Sequence, residues 1–322
     1  MTEISVVIPV FNGEAFLEEC LSSVMSQSFR DFEVIVVNDG SSDSSLAIAK
    51  RFADRDDRFK IITIPHSGLS AARNKGVSCG RGKYVTFLDA DDCLYPYTLE
   101  TYARVASDFD ANVVIGSFTR SKSYGIPAPE SAGVTRLKAL DVPVRIYDFV
   151  GAMKTALYQK VILSSACGAL VKREFINMER GFREGIWYED LDAFYRFYQH
   201  VSRIAYVDAP LYFYRDNSES FTNRWSEGRL DVLDVTDRIV DFFKEKYPDV
   251  VPAALDRRFS AHYNMLLLMY RNGVDNPEAE ERCWKVIREG RRRALTDRNV
   301  RLKNKLGALL SFGGRRLIKL LS

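Results

Sequence analysis

The chain has 322 residues, 46% hydrophobic and 28% charged, the balance of a globular protein with a sizeable core rather than a disordered or fibrous one. Its net charge of +3 is uneven: residues 282–322 hold 13 Lys and Arg against 2 Asp and Glu, leaving 33 basic against 41 acidic residues elsewhere, so a mildly acidic body carries a basic tail. No run of about 18 apolar residues predicts a membrane-spanning helix, and Met1-Thr2-Glu3-Ile4 does not resemble a secretory signal.

Residues 4–10 form a β-branched apolar run closing on the turn Pro9-Val10-Phe11-Asn12-Gly13. Residues 15–26 follow with Phe16, Leu17, Cys20, Leu21 and Val24 at helical spacing. A second buried-strand run, 32–37, ends in Asn38-Asp39-Gly40-Ser41-Ser42-Asp43. Then come a helix at 46–52, a strand at 59–64 stopped by Pro65, and a helix at 68–77. A strand at 84–88 leads at once into Asp89-Ala90-Asp91-Asp92, followed by a helix at 98–109 and a strand at 111–118. Strands separated by helices predict an α/β fold, a mostly parallel twisted sheet with helices on both faces. Ligands of such sheets bind beyond the carboxyl ends of the strands, so the turns at Asn12, Asp39 and Asp89 are expected to meet along one edge.

Residues 121–147, with Gly125, Pro127, Pro129 and Pro143, read as a long connection. Residues 188–200 read as a helix, 204–214 as a strand pair broken at Pro210, and the chain from Glu227 onward as helical. The organisation expected is an α/β domain at 1–225 and a helical region at 226–322. Five scattered cysteines without a C-x-x-C pair suit a reduced, cytoplasmic compartment and speak against a cysteine metal site.

Three carboxylates within four residues at a strand end repel one another, and a hard cation such as Mg²⁺ or Mn²⁺ relieves that repulsion. The same turn also reads as a helix start, with Asp91 or Asp92 capping the segment from Leu94. Asp39 can accept a hydrogen bond from a base N–H, or form an Asx turn while Asp43 caps the next helix. Ser67 and Gly68 stand near a helix N-terminus, where anions bind. Arg73 on that helix can grip a phosphate or be solvated. In Trp187-Tyr188-Glu189-Asp190-Leu191-Asp192 the acids suit a helix start, and they equally suit a general base flanked by aromatic faces for a sugar ring. Arg215 can approach a diphosphate or pair with Asp216 or Glu219.

Ser5-Val6-Val7-Ile8-Pro9-Val10-Phe11-Asn12, Val37-Asn38-Asp39-Gly40-Ser41-Ser42-Asp43, Gly68-Leu69-Ser70-Ala71-Ala72-Arg73-Asn74 and Phe87-Leu88-Asp89-Ala90-Asp91-Asp92 resemble, in order and spacing, the signature blocks of family 2 glycosyltransferases. Tyr188-Glu189-Asp190 and Tyr214-Arg215 resemble its later blocks, and the likeness covers about residues 1–225. The resemblance implies a GT-A fold that binds a UDP-sugar at its sheet edge. Pro9, Val10, Phe11, Asn12 and Glu14 would line the nucleotide pocket with Ser67, Gly68, Ala90 and Arg215. Asp39 would hold the uracil N3–H, Arg73 would sit near the base or phosphates, Asp89 would contact the ribose and Asp91 the metal. Asp190 would be the catalytic base of an inverting transfer, with Trp187, Tyr188 and Glu189 against the acceptor. Phe11 stands where the family more often has Tyr, so stacking survives without the hydroxyl. Within the acidic turn, Asp92 is left the task of starting the next helix.

The function expected is transfer of a hexose or N-acetylhexosamine from a UDP-sugar to a glycan or lipid-linked acceptor, in cell-surface polysaccharide synthesis. Leu302, Leu306, Leu309 and Leu310 alternate with Arg301, Lys303 and Lys305 in the tail. This predicts an amphipathic helix on the inner, anionic membrane face, or a stripe packing on the domain or on a second copy in a homodimer. The tail lacks the interleaved aromatics of a nucleic-acid binder. Nucleotidyl transfer would want a Gly/Arg/Lys-rich loop where Phe11-Asn12-Gly13-Glu14 stands. A non-catalytic module is the remaining alternative.

Overall fold

The computed structural model describes residues 2–121, 142–216 and 225–321; most of the connection expected at 121–147 therefore lies outside the described residues. The chain divides into two compact units. One comprises Met1–Phe149, Ser165–Gly185 and Ala193–Ser220, the other Val150–Ser164, Ile186–Asp192 and Phe221–Ser322. Residues 226–322, the expected helical region, fall in the second unit together with two shorter segments.

The first unit is built on a sheet. Its first elements are β1 (Ile4–Val10), α1 (Leu17–Met25), β2 (Phe32–Asp39), α2 (Ser45–Ala53), β3 (Phe59–Ile64), α3 (Leu69–Cys79) and β4 (Tyr84–Phe87). Next come the two-residue β5 (Cys93–Leu94), α4 (Thr98–Asp108), β6 (Val113–Ser121) and β7 (Val144–Tyr147), with β8 (Ala169–Lys172) and β9 (Ile204–Arg215) later. The order is β3-β2-β1-β4-β8-β6-β9-β5, with β7 also on β9. β3, β2, β1 and β4 run parallel, as the alternating strand and helix patterns predict. β8 enters antiparallel between β4 and β6.

All seven residues of β1 are buried, the pattern of a strand covered on both faces. Each such Val or Ile contributes about 1.5–3 kcal/mol on leaving water. α3 lies on β1 so closely that a Cβ on Gly76 would stand 2.3 Å from Val7, so only glycine fits there. The register pairs Val10 with Asn38 and Val7 with Phe87. The turns after β1, β2 and β4 therefore leave the same sheet edge, as expected.

Two expectations are corrected. Residues 204–214 are one strand, not a pair: β9 uses Val207 to Tyr212 where β6 uses Gly116 to Phe118. Pro210 sits in that irregularity, where its missing N–H costs no ladder bond. Residues 93–94 pair with β9 rather than begin a helix, and α4 starts only at Thr98.

In the second unit α8 (Asp231–Lys246), α9 (Val251–Arg271), α10 (Pro277–Thr296), α11 (Leu302–Leu310) and α12 (Gly314–Leu321) follow one another. α5 (Phe149–Leu157), α6 (Arg173–Met178) and α7 (Glu189–Tyr198) precede them in the chain. Phe243 and Phe259 are wholly buried in this core. At the start of α10 the Asn276 side chain accepts the Ala279 N–H at 3.0 Å, with Pro277 beside it. None of the helices among the described residues is long and apolar enough to cross a membrane.

Candidate active site

At the edge left by β1, β2 and β4 almost every polar group is held by another. Pro9 and Val10 end β1 in the core. Phe11 follows, 50% exposed, its ring stacked on His66 at 4.0 Å between centroids. Asn12, at φ 49°, accepts the Ser42 N–H at 2.9 Å, and its own N–H reaches the Ser41 hydroxyl at 3.1 Å. Glu14 and Asp43 brace each other's segments: Asp43 accepts the Glu14 N–H and Glu14 accepts the Ser44 N–H, both at 2.9 Å. Glu14 thereby serves the start of α2.

Asp39 is buried, and forms no Asx turn in its own segment. Its two carboxylate oxygens accept the N–H groups of Ser67 at 2.7 Å and Gly68 at 2.9 Å, and the His66 ring lies 3.0 Å away. This corrects the anion reading of Ser67 and Gly68. The donors at the head of α3 receive an internal carboxylate, and since His66 Nδ1 lies beside the oxygen that accepts from Gly68, the spare accepting capacity lies on the oxygen that accepts from Ser67.

Arg73 is neither solvated nor directed at an external phosphate. Its side chain is 3% exposed and holds Asp89 Oδ1 at 2.8 Å, with the guanidinium 5.4 Å from the Phe182 ring. Asp89 is a third exposed, and its N–H reaches the Tyr212 hydroxyl at 3.2 Å. Ala90 follows, partly exposed, with its Cβ 3.5 Å from where a Cβ on Gly13 would stand.

Asp92 does not cap a helix. Its buried carboxylate accepts the Tyr212 hydroxyl at 2.7 Å and the Arg215 N–H at 2.8 Å, pinning the turn to β9. Burial, joined by the charges of Asp89 and Asp91, pushes its carboxyl up to about 8. Among the described residues Arg215 pairs with Glu19 rather than with Asp216, and Glu219 lies outside the described residues. Its guanidinium bonds Glu19 at 2.5 Å and the Asp91 carbonyl at 2.8 Å, 4.6 Å above the Phe16 ring.

Asp91 is the one carboxylate of the turn not tied to another side chain among the described residues. Burial, with the Asp89 charge added, pushes it up to about 6. Its hard oxygens and unrelieved repulsion are the donor chemistry that suits Mg²⁺ or Mn²⁺. No three His, Cys, Asp or Glu side chains converge as a protein-only cage among the described residues.

Trp187, Tyr188, Glu189 and Asp190 belong to the second unit. The Trp187 N–H donates to Asp231 at 2.8 Å, and its ring lies so near Gly228 that a Cβ there would stand 2.5 Å away. Tyr188 takes φ 61°, and its carbonyl accepts the Asp192 N–H at 3.0 Å. Glu189 and Asp190 are partly exposed at the head of α7, where the Asp190 carboxylate accepts the Leu191 N–H at 2.6 Å. Asp192 is fully buried and bonded to Arg238 at 2.9 Å. Sequence reasoning missed Glu19, His66, Tyr212 and Arg238. Only Tyr212 left a signal, its three-residue spacing from Arg215 near the end of a strand.

The model of glycosyl transferase family 2 matches residues 5–176. Glycosyltransferase GlyG of Streptococcus pneumoniae is 31% identical over 79% of this chain and 82% of its own length. Glycosyltransferase GlyA of the same organism is 30% identical over 84% of this chain, which spans only 38% of GlyA. The chain belongs to glycosyl transferase family 2, and is a glycosyltransferase of that type rather than a nucleotidyltransferase.

Among solved structures, Staphylococcus aureus TarS 1–349 in complex with UDP-GlcNAc superposes with a TM-score of 0.71 at 18% identity, over 98% of this chain and 88% of the other. The mannosyltransferase PcManGT of Pyrobaculum calidifontis, in complex with GDP-Man and Mn²⁺, gives 0.55 at 15% identity, over 98% and 84%. These likenesses show the fold, GT-A with C-terminal helices.

Proposed function

We propose that the chain transfers a hexose or N-acetylhexosamine, with inversion, from a UDP-sugar to a hydroxyl of a glycan or lipid-linked saccharide, in cell-surface polysaccharide synthesis. The observation that carries the reading is the acidic turn after β4, where Asp89 and Asp92 are held by protein partners and Asp91 is left with its charge. Asp91 would hold a divalent cation, whose chemistry when bound would be to neutralise the leaving group. TarS, with UDP-GlcNAc, supports the uridine donor, while PcManGT with GDP-Man and Mn²⁺ makes the guanosine donor the competitor.

Phe11 and His66 offer the base a stacked face, and Asp39 reads the uracil N3–H with its spare accepting capacity. Asp190 takes the proton of the acceptor hydroxyl as that oxygen attacks the anomeric carbon and the bond to the diphosphate breaks. Trp187 and Tyr188 place apolar faces against the sugar. Replacing Asp190→Asn is expected to preserve UDP binding in a thermal-shift panel of UDP- and GDP-sugars with and without Mn²⁺, and to cost about 10²–10⁴-fold in turnover. Retained turnover sinks the assignment.

The tail carries a second part of the proposal, docking on an anionic inner leaflet. α11 divides cleanly: Asn304, Gly307 and Ala308 are buried, Gly307 against the Tyr263 ring, while Leu302, Leu306, Leu309 and Leu310 are exposed. Phe312 and Leu320 extend the exposed set, and Arg316 and Lys319 are exposed nearby. Changing Leu302, Leu306 and Leu309 to Ser spares the packed face. It should abolish co-sedimentation with phosphatidylglycerol vesicles; equal pelleting removes the membrane role, and loss of a dimer instead points to a second copy.

A further inference from the structure

The second unit carries an arginine cluster beside the segment of Asp190 that the fold does not use up. Arg257, on α9, has its Nε buried with no hydrogen-bond partner among the described residues. The Nε of Arg301, just before α11, is in the same condition, while a terminal nitrogen of that side chain donates to Gln159 Oε1 at 2.8 Å. Both belong to one neighbourhood. The charges of Asp190, Arg301, Tyr188 and Asp256 all act on Arg257, and Arg229 and Arg257 both act on Tyr188.

Two carboxylates act on Arg257, Asp190 and Asp256. Asp256 is buried and accepts the Asn304 amide at 3.1 and 3.2 Å, and burial pushes its carboxyl up against the charges of Arg293 and Arg301. Burial likewise holds Arg257 below the ordinary arginine range, opposed by the Asp190 charge. A buried guanidinium nitrogen without an acceptor is destabilising, and a ligand that supplies the acceptor removes that penalty. The complement of guanidinium groups whose charges act on one another is a phosphate, which accepts several charge-assisted hydrogen bonds at once.

We infer that Arg257 and Arg301 bind a phosphate carried by the acceptor, so that the hydroxyl presented to Asp190 belongs to a phosphate-bearing molecule, a polyol phosphate or a saccharide on a lipid diphosphate. The name acceptor rests on the proposed transfer; the phosphate site itself does not.

Calorimetric titration of glycerol 3-phosphate and of geranyl diphosphate into the full chain tests it, with and without saturating UDP, for wild type, Arg257→Gln, Arg301→Gln and the exposed control Lys285→Gln. Wild type and control should bind at least one probe equally well when UDP is present, and the preferred probe distinguishes polyol phosphate from lipid diphosphate. Arg257→Gln and Arg301→Gln should bind it about tenfold more weakly or worse, the loss of one charge-assisted contact. Arg257→Lys, which keeps the charge but not the fork, should fall between and covers the case in which the Gln variant does not fold. Absence of probe binding by wild type, unchanged binding by the Gln variants, or displacement of the probe by UDP overturns the inference, the last by giving the arginines to the donor. Failure of UDP itself to bind counts against the proposed donor and leaves the probe titration readable.

Discussion

The acidic turn after β4 and the arginine cluster on α9 and before α11 both concentrate one sign of charge, and they treat it differently. In the turn, Arg73 neutralises Asp89, while Tyr212 and the Arg215 N–H satisfy Asp92. One carboxylate, Asp91, keeps its charge at a defined place. In the cluster, Arg257 and Arg301 each retain a buried nitrogen without an acceptor among the described residues. The sheet unit thus preorganises a single charge with a surround of fixed partners, the arrangement that favours a tightly positioned cation. The helical unit leaves capacity distributed over several donors, which suits a ligand bringing several acceptors.

The largest expected effect breaks the first half of this contrast. Asp91→Asn should lower turnover by about 10²–10³-fold and abolish any gain in UDP affinity from Mn²⁺; Mn²⁺-dependent binding that survives in calorimetry would move the metal to another carboxylate. The helical unit offers the next test through His262, a buried basic group kept neutral. Its Nδ1 donates to the Arg258 carbonyl at 2.9 Å and its buried Nε2 has no partner among the described residues. Burial lowers it to about 4. Below the ordinary value of 6.5 the unfolded chain takes up a proton that the folded chain refuses until about pH 4. The His262 contribution to stability should therefore be complete above pH 6.5 and fall by up to about 3 kcal/mol on acidification to pH 4, against the opposite trend of Asp91 and Asp92. His262→Gln should flatten that part of the urea-denaturation profile; an unchanged slope would assign it to other groups.

Tyr212→Phe tests the support of the turn. It strips a donor from the buried Asp92 and should cost about 2 kcal/mol in chemical denaturation; a loss near zero would mean that the Arg215 N–H alone suffices. Smallest is the stability effect of Asp91→Asn itself. Removing a carboxylate crowded by two others should raise the stability of the metal-free protein by about 1 kcal/mol, opposite in sign to its effect on turnover.

What the sequence revealed and what it hid divide along the same line. β1, β2 and β4 were legible because continuous β-branched runs end in polar turns, and their parallel order follows from the helices between them. The positions of Asp39, Asp89 and Asp91 came with those turns. The partners of the charges did not. Arg215 and Glu19 are separated by 196 residues, and no local pattern specifies such a pair. Ser67 and Gly68 looked like a site for an external anion, when their N–H groups receive the Asp39 carboxylate from another turn. β8 is four residues long, too short to show a period, and its antiparallel entry rearranges the far half of the sheet. Pro210 was misread because a proline ends a regular ladder, whereas β9 is irregular at that point.

The fastening of Asp92 by Arg215 bears on how the molecule is made. The two are 123 residues apart, so a chain emerging from the ribosome presents β1, β2 and β4 long before the strand that secures their acidic turn exists. Until then Asp89, Asp91 and Asp92 face one another without Tyr212 or Arg215. A nascent chain stalled before residue 204 would hold most of the proposed donor-binding edge in an unfinished and proteolytically vulnerable form, and the proposed donor binding should arise late in synthesis, in one step, when β9 joins the sheet.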